Sequence, residues 1–222
     1  MTNREAVSII RSKLKQITGD DVISDRAIFA ELKSTANLYI KREVDRRRLL
    51  MVDSLFTTIP CLEMVAVPLS ECCSYKSPCT IRRSKKQLPK IGEGIWGYII
   101  NTVQSMDGSI MFTEGTAKRY TNMLTLKSNA KFYWLQNGYL YVSDPNIEYV
   151  MIRAYFEEEV PYDLSECADP SKNRSECENP LDEPFRCPGY LIQNVLTTVE
   201  QNYLNSFMRL KTDQTDDDRE EK

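Results

Sequence analysis

Apolar residues recur at helical spacing from the start of the chain. Ala6, Ile10, Leu14 and Ile17 fall on one face and predict a helix from Thr2 to about Thr18. Thr2 or Asn3 can cap it, and Gly19-Asp20-Asp21 breaks it. Ser24 is placed to cap a second helix, with Asp25 in its first turn. The stripe of that helix runs Ile28, Leu32, Thr35/Ala36 and Tyr39, and the cationic run Arg46-Arg47-Arg48 suits its C-terminal end electrostatically. Two helices with one apolar stripe each cannot enclose a core, so this pair must pack on something else.

After about Met51 the period shortens. Cys61 to Val67 reads as a strand, and Thr80-Ile81-Arg82 as a weaker one. Gly94 to Val103 is aromatic and β-branched; Ser105 to Ser109 is a turn around Asp107-Gly108, and Ile110-Met111-Phe112 continues beyond it. The clearest local signal is Lys131 to Ser143, where Asn137-Gly138 supplies the two positive-φ positions of a type I′ hairpin turn. Phe132, Tyr133, Trp134, Tyr139 and Tyr141 flank it and read as cross-strand core pairs in preference to a stacking platform. Asp144-Pro145-Asn146 turns the chain into another strand, Ile147 to Glu157.

Glu158 to Pro188 is rich in Pro and acid and long for a structureless connection, which marks it as functional or as wrapping a neighbour. A last helix is expected from Gly189 to Lys211, with Leu191, Ile192, Val195, Val199, Tyr203 and Phe207 on its apolar stripe. Thr212 to Lys222 is charged, poor in apolar residues and expected to be mobile. The fold class is therefore α+β: an N-terminal helical pair (1–50), a central antiparallel β domain (51–160), and an acidic loop, C-terminal helix and acidic tail (161–222).

Charge adds a direction to this plan. The net charge of the 222 residues is −3. Ser74 to Gly92 nevertheless carries six basic and no acidic residues (Lys76, Arg82, Arg83, Lys85, Lys86, Lys90), a balance of +6. Glu157 to Glu183 carries ten acidic residues against Lys172 and Arg174, a balance of −8. Such asymmetry suggests oriented surfaces for neighbouring subunits or for nucleic acid.

Candidate chemistry is sparse. With no histidine, Ser-His and Cys-His pairs, His metal ligands and the usual near-neutral general base are all excluded. The seven cysteines form no CxxC; the ten-residue spacing of Cys167, Cys177 and Cys187 admits a metal or disulfide reading, but free thiols are the plainer one. Cys72-Cys73 has no evident activating group except Lys76. No phosphate-binding glycine loop can be written, and Asp163, Glu166 and Asp169 lack Ca²⁺-loop spacing. No enzyme activity and no cofactor are expected. No apolar run approaches the ~20 residues that span a bilayer, and the first residues lack a signal-peptide core, so the protein stays where it is made or leaves within a particle. The basic run from Arg82 to Lys90 reads as a contact for an acidic protein surface or for phosphate backbone; lacking interleaved aromatics, it is a weak nucleic-acid module.

The run RRSKKQLPKI, the later VQSMDGSIMF, and GYLYVSDPNIEYVMIRAYFEEE, followed by a helix and an acidic tail, resemble virion structural proteins of crAss-like Bacteroides phages. In particular they are similar to a ring protein of the head-to-tail connector. The likeness extends from about Thr35 to the tail. It implies a dodecameric ring around the DNA exit channel, assembled in the host cytoplasm and carried in the virion. The implied partners are further copies of the chain, the portal, adjacent ring or tail proteins and the DNA passing through. Arg82, Arg83, Lys85, Lys86 and Lys90, the acidic Glu157, Glu158 and Glu159, and the helix residues Leu191, Val195, Val199 and Phe207 are the expected interface positions. The alternative function is nucleic-acid binding through residues 76–90.

Overall fold

The computed structural model describes residues 1–18, 23–46, 53–71, 80–116, 130–158, 160–161, 164 and 179–217. The chain divides into two units, one formed by Met1–Leu55 with Ser175–Lys222 and the other by Phe56–Arg174.

The first unit is helical: α1 (Asn3–Thr18), α2 (Asp25–Asp45) and α3 (Gly189–Asp217). Ser24 caps α2 as its position predicts, its side chain accepting the Ala27 N–H at 3.3 Å. The partner that the two N-terminal stripes require is α3. Ala6, Val7, Ile10 and Leu14 of α1, Ile28, Leu32 and Ala36 of α2, and Val195, Leu196 and Val199 of α3 bury one another. Polar links fix the register at the rim: Lys13 to Glu200 at 2.5 Å, Tyr39 to Thr198 at 2.9 Å, and Asn202 to Glu31 at 3.0 Å. The end of the acidic connection is ordered against α1. Asn3 N–H donates to the Glu183 carbonyl at 2.9 Å, and Arg4 pairs with Asp182 at 2.7 Å. The last helix, expected to end at Lys211, continues through Thr212 to Asp217.

The second unit is a sheet of seven strands: β1 (Thr57–Pro68), β2 (Thr80–Ser84), β5 (Ile100–Ser105), β6 (Thr113–Glu114), β7 (Phe132–Gln136), β8 (Tyr139–Val142) and β9 (Tyr149–Ala154), in the order β5-β9-β1-β2-β8-β7-β6. A short hairpin, β3 (Glu93–Gly94) with β4 (Gly97–Tyr98), stands apart from it. Neighbours in the large sheet are antiparallel except β6 and β7, which are parallel.

The two ends of this sheet meet. Ile110 to Phe112 turns back on β5: Ser105 N–H donates to Ile110 O and Phe112 N–H to Val103 O, both at 2.9 Å. The same stretch then enters β6, where Gly115 N–H donates to Tyr133 O of β7 at 2.8 Å. The strands thus close into a barrel whose interior holds Ile59, Leu62, Met64, Val103, Phe112, Tyr133, Leu140, Val142, Val150 and Ile152. Closure removes the free strand edges that would otherwise invite further strand pairing. Between Ile59 and Leu62 the ladder to β9 shifts register, and Pro60, which has no N–H to contribute, sits in that bulge. The shift keeps both Ile59 and Leu62 pointing inward, 0% and 1% exposed.

The predicted hairpin is present. Asn137 (φ 54°) and Gly138 (φ 77°) occupy its turn. Trp134 and Tyr141 pair across β7 and β8 and stack on the outer wall at 5.7 Å with planes 4° apart. The stretch Gly94 to Val103, which reads as one aromatic, β-branched run, is broken. Gly97 (φ +117°) reverses the chain after Trp96, so that Gly94 pairs with Gly97 and β5 begins only at Ile100.

Candidate assembly surfaces

The basic segment runs along β2 and then crosses the barrel as an extended strap. Leu88 anchors the strap: its side chain enters the barrel core and its N–H donates to Gly138 O at 2.8 Å. Anchoring brings most of the cations to partners inside the same chain. Arg83 pairs with Glu71 and lies over the Tyr139 ring, 4.3 Å from its centre. Lys85 Nζ reaches both carboxylate oxygens of Glu63 at 2.9 and 2.8 Å. Arg82 Nε donates to the Pro145 carbonyl at 2.8 Å. Lys86 is exposed.

Lys90 brings the basic strap to the acidic segment. Its ammonium is 2.9 Å from Glu157, and the Glu157 N–H donates to the Lys90 carbonyl at 2.8 Å. The hydrogen bond to Glu157 and the charge of that carboxylate raise the Lys90 pKa. Of the three acidic positions singled out, Glu157 is thereby tied to the strap, Glu158 is exposed, and Glu159 lies outside the described residues. Leu191, Val195 and Val199 are 3%, 0% and 0% exposed within the three-helix core, and Phe207 packs partly against it. The apolar stripe of α3 is thus used inside the chain.

The cysteines fall into two states among the described residues. Cys61 is disulfide-bonded, where the plainer reading had only free thiols. Cys187 is free, and burial pushes its pKa up to about 12, which leaves it a poor nucleophile. Cys167 and Cys177 lie outside the described residues, as do Asp163, Glu166 and Asp169. No group of three or more metal-ligating side chains occurs among the described residues. No described helix is long and apolar enough to cross a membrane.

Sequence reasoning missed the apolar groups that the barrel leaves outside. Ile95 and Trp96, at the tip of the β3–β4 hairpin, are 81% and 70% exposed, and Met111 is 67% exposed. The available signal was the Gly94-Ile-Trp-Gly97 spacing, in which two glycines bracket two large apolar residues.

The closed barrel with its filled interior and the three-helix unit define the fold, and a fold alone does not set a function. The sequence comparison supplies the class: a family model described as phage tail ring protein 2, of the crAss-like phage ring group, matches residues 5–222. The chain belongs to that family, and so is a structural component of a phage particle. No curated protein sequence matches it.

Proposed function

We propose that the chain is the subunit of an oligomeric ring in the head-to-tail connector, surrounding the channel through which DNA passes. The observation that carries this reading is the family match along almost the whole chain, residues 5–222. The geometry supports it. A barrel closed on itself around an apolar core is a rigid block, and rigid blocks repeat around an axis without distorting. On this reading the ring is dodecameric and assembles in the host cytoplasm, with the portal and neighbouring ring or tail proteins above and below.

The charged surfaces set orientation in this arrangement. Lys85 and Lys86 on the strap and Glu158 beyond β9 are exposed and serve as rim contacts that steer one copy onto the next, a role that charge performs better than it adds affinity. α3 adds a surface from the side of the helix opposite Val195 and Val199. The chain acts as a scaffold and carries out no catalysis.

The direct test is quantitative peptide mass spectrometry of gradient-purified particles, counting this chain against the portal subunit. Equal copy numbers are expected. Absence from the particle overturns the connector reading and brings nucleic-acid binding through residues 76–90 forward. Charge reversal at Arg82, Arg83, Lys85 and Lys86 is expected to slow or weaken ring assembly. Unchanged assembly at physiological salt removes these residues from the interface.

A further inference from the structure

Backbone pairing holds β1 least where Cys61 stands. On the β9 side the ladder runs from Thr57 to Ile59 and resumes at Leu62, so that two residues, Pro60 and Cys61, stand against one, Met151. On the β2 side the register ends at Met64, with one further bond from the Lys85 N–H to the Glu63 carbonyl at 2.9 Å. Cys61 therefore occupies a gap that neither ladder spans. Ile59 and Leu62, on either side of the gap, are buried in the barrel core, whereas Cys61 is half-buried and belongs to the wall.

The restraint at this gap is covalent, because Cys61 is disulfide-bonded. A cross-link stabilises mainly by restricting the unfolded chain, and here it also ties down the folded wall at its least paired position. The free Cys187 does not compete for the bond. It packs against the three-helix core, and burial pushes its pKa up to about 12. Near neutral pH it therefore carries almost no thiolate, the form that attacks a disulfide.

The surroundings decide whether such a bond exists. Disulfides are rare in a cytosol kept reduced by small thiols and persist on particles outside the cell. Resting on the ring reading above, in which the chain is made in a cytoplasm and leaves within a particle, we propose that Cys61 is a redox-gated staple: a thiol during synthesis and ring assembly, a disulfide after release. The closing step is exchange with a low-molecular-weight disulfide. The Cys61 thiolate attacks one sulfur and expels a small thiolate; the thiolate of its partner cysteine then displaces the second and closes the protein bond. Two protein thiols give up two electrons and two protons, and one small disulfide takes them up as two small thiols. The open form lets β1 adjust at its bulge while subunits meet, and the closed form fixes it.

The test equilibrates the full chain in glutathione mixtures from reducing to oxidising and quenches each with acid. Differential alkylation with peptide mass spectrometry reads the state of Cys61, and chemical denaturation reads stability in the same mixtures. Cys61 is expected to be alkylated in a cytosol-like mixture and protected in an oxidising one, and reduction should raise the unfolding equilibrium constant about 30-fold or more. Cys61→Ser should lose this redox dependence, with Cys61→Ala as a second variant should the serine fail to fold, and Cys187→Ser should keep it. The same alkylation should find Cys61 as a thiol in infected cells and as a disulfide in purified particles. Protection of Cys61 in the cytosol-like mixture or in cells, a Cys61 thiol in the particles, or stability indifferent to reduction overturns the staple and leaves the ring reading standing. Absence of the chain from the particles overturns the ring reading, and with it the closing of the staple on release.

Discussion

Lys90 and Glu157 join the basic and acidic segments of one chain: the ammonium is 2.9 Å from a carboxylate whose side chain is 9% exposed, while the lysine itself is 65% exposed. Removing the cation takes one ion pair from that largely covered carboxylate. Lys90→Met should therefore unfold at a lower temperature than the parent at neutral pH. The Lys90 pKa is raised in the folded chain, so its contribution is complete below the unfolded lysine value and is lost as pH climbs through the folded one. The difference in unfolding temperature between parent and variant should close in that alkaline window. A constant difference across it would mean that the alkyl stem, not the charge, is what matters.

Asp107 organises the turn that closes the barrel. It accepts hydrogen bonds from the Ser105 hydroxyl and from the Ser109 N–H, and these hold its pKa down to about 2. The shift is downward, so its contribution is present above the ordinary carboxylate value and disappears as pH falls toward about 2. Acid unfolding of the parent should steepen between these limits. Asp107→Asn should lower stability at neutral pH and flatten the acid limb; an acid limb identical to the parent's would show that other carboxylates control it.

Leu32 is 0% exposed between α1 and α3. Leu32→Ala should cost about 2–5 kcal/mol, combining lost burial with a residual cavity, and chemical denaturation will measure it. A cost below about 1 kcal/mol would show that the three-helix core collapses into the space or was never tightly packed.

The strap should be a poor DNA ligand. Arg83, Lys85 and Lys90 all meet carboxylates of their own chain, so few phosphates can be engaged without breaking these pairs. Binding of duplex DNA at physiological salt should be no tighter than the non-specific range of roughly 10⁻⁴–10⁻⁶ M. Nanomolar binding with a steep salt dependence, abolished by neutralising Lys85, Lys86 and Lys90, would instead make nucleic acid the partner.

What could be read from the sequence was whatever is set locally. The Ser24 cap, the stripes of α1 and α2 and the Asn137-Gly138 turn depend on residues a few positions apart, and each is present. Barrel closure could not be read, because it rests on the two-residue strand Thr113–Glu114 pairing in parallel with Phe132 and Tyr133, too short a stretch to leave a periodic signal. The exposure of Ile95 and Trp96 was hidden for a related reason. Ile95 and Trp96 look like strand core until the conformation of Gly97 turns them outward. The partners of the cations were equally unreadable, since Glu63 and Glu71 come from the neighbouring strand and its end. On the candidate site, sequence reasoning picked out the charged residues but did not show which charges are already satisfied within one chain.

The order of the strands also sets when the molecule can fold. β1 finds one of its two sheet neighbours in β2, but the other is β9, about ninety positions later, and α1 and α2 wait for a helix that begins at Gly189. A growing chain on the ribosome thus completes neither core until most of it has been made. Contacts at such separation form slowly. Until α3 emerges, Ile28, Leu32 and Ala36 lack the packing that Val195, Leu196 and Val199 supply, and incompletely packed apolar surface of this kind is what exposes a nascent chain to aggregation.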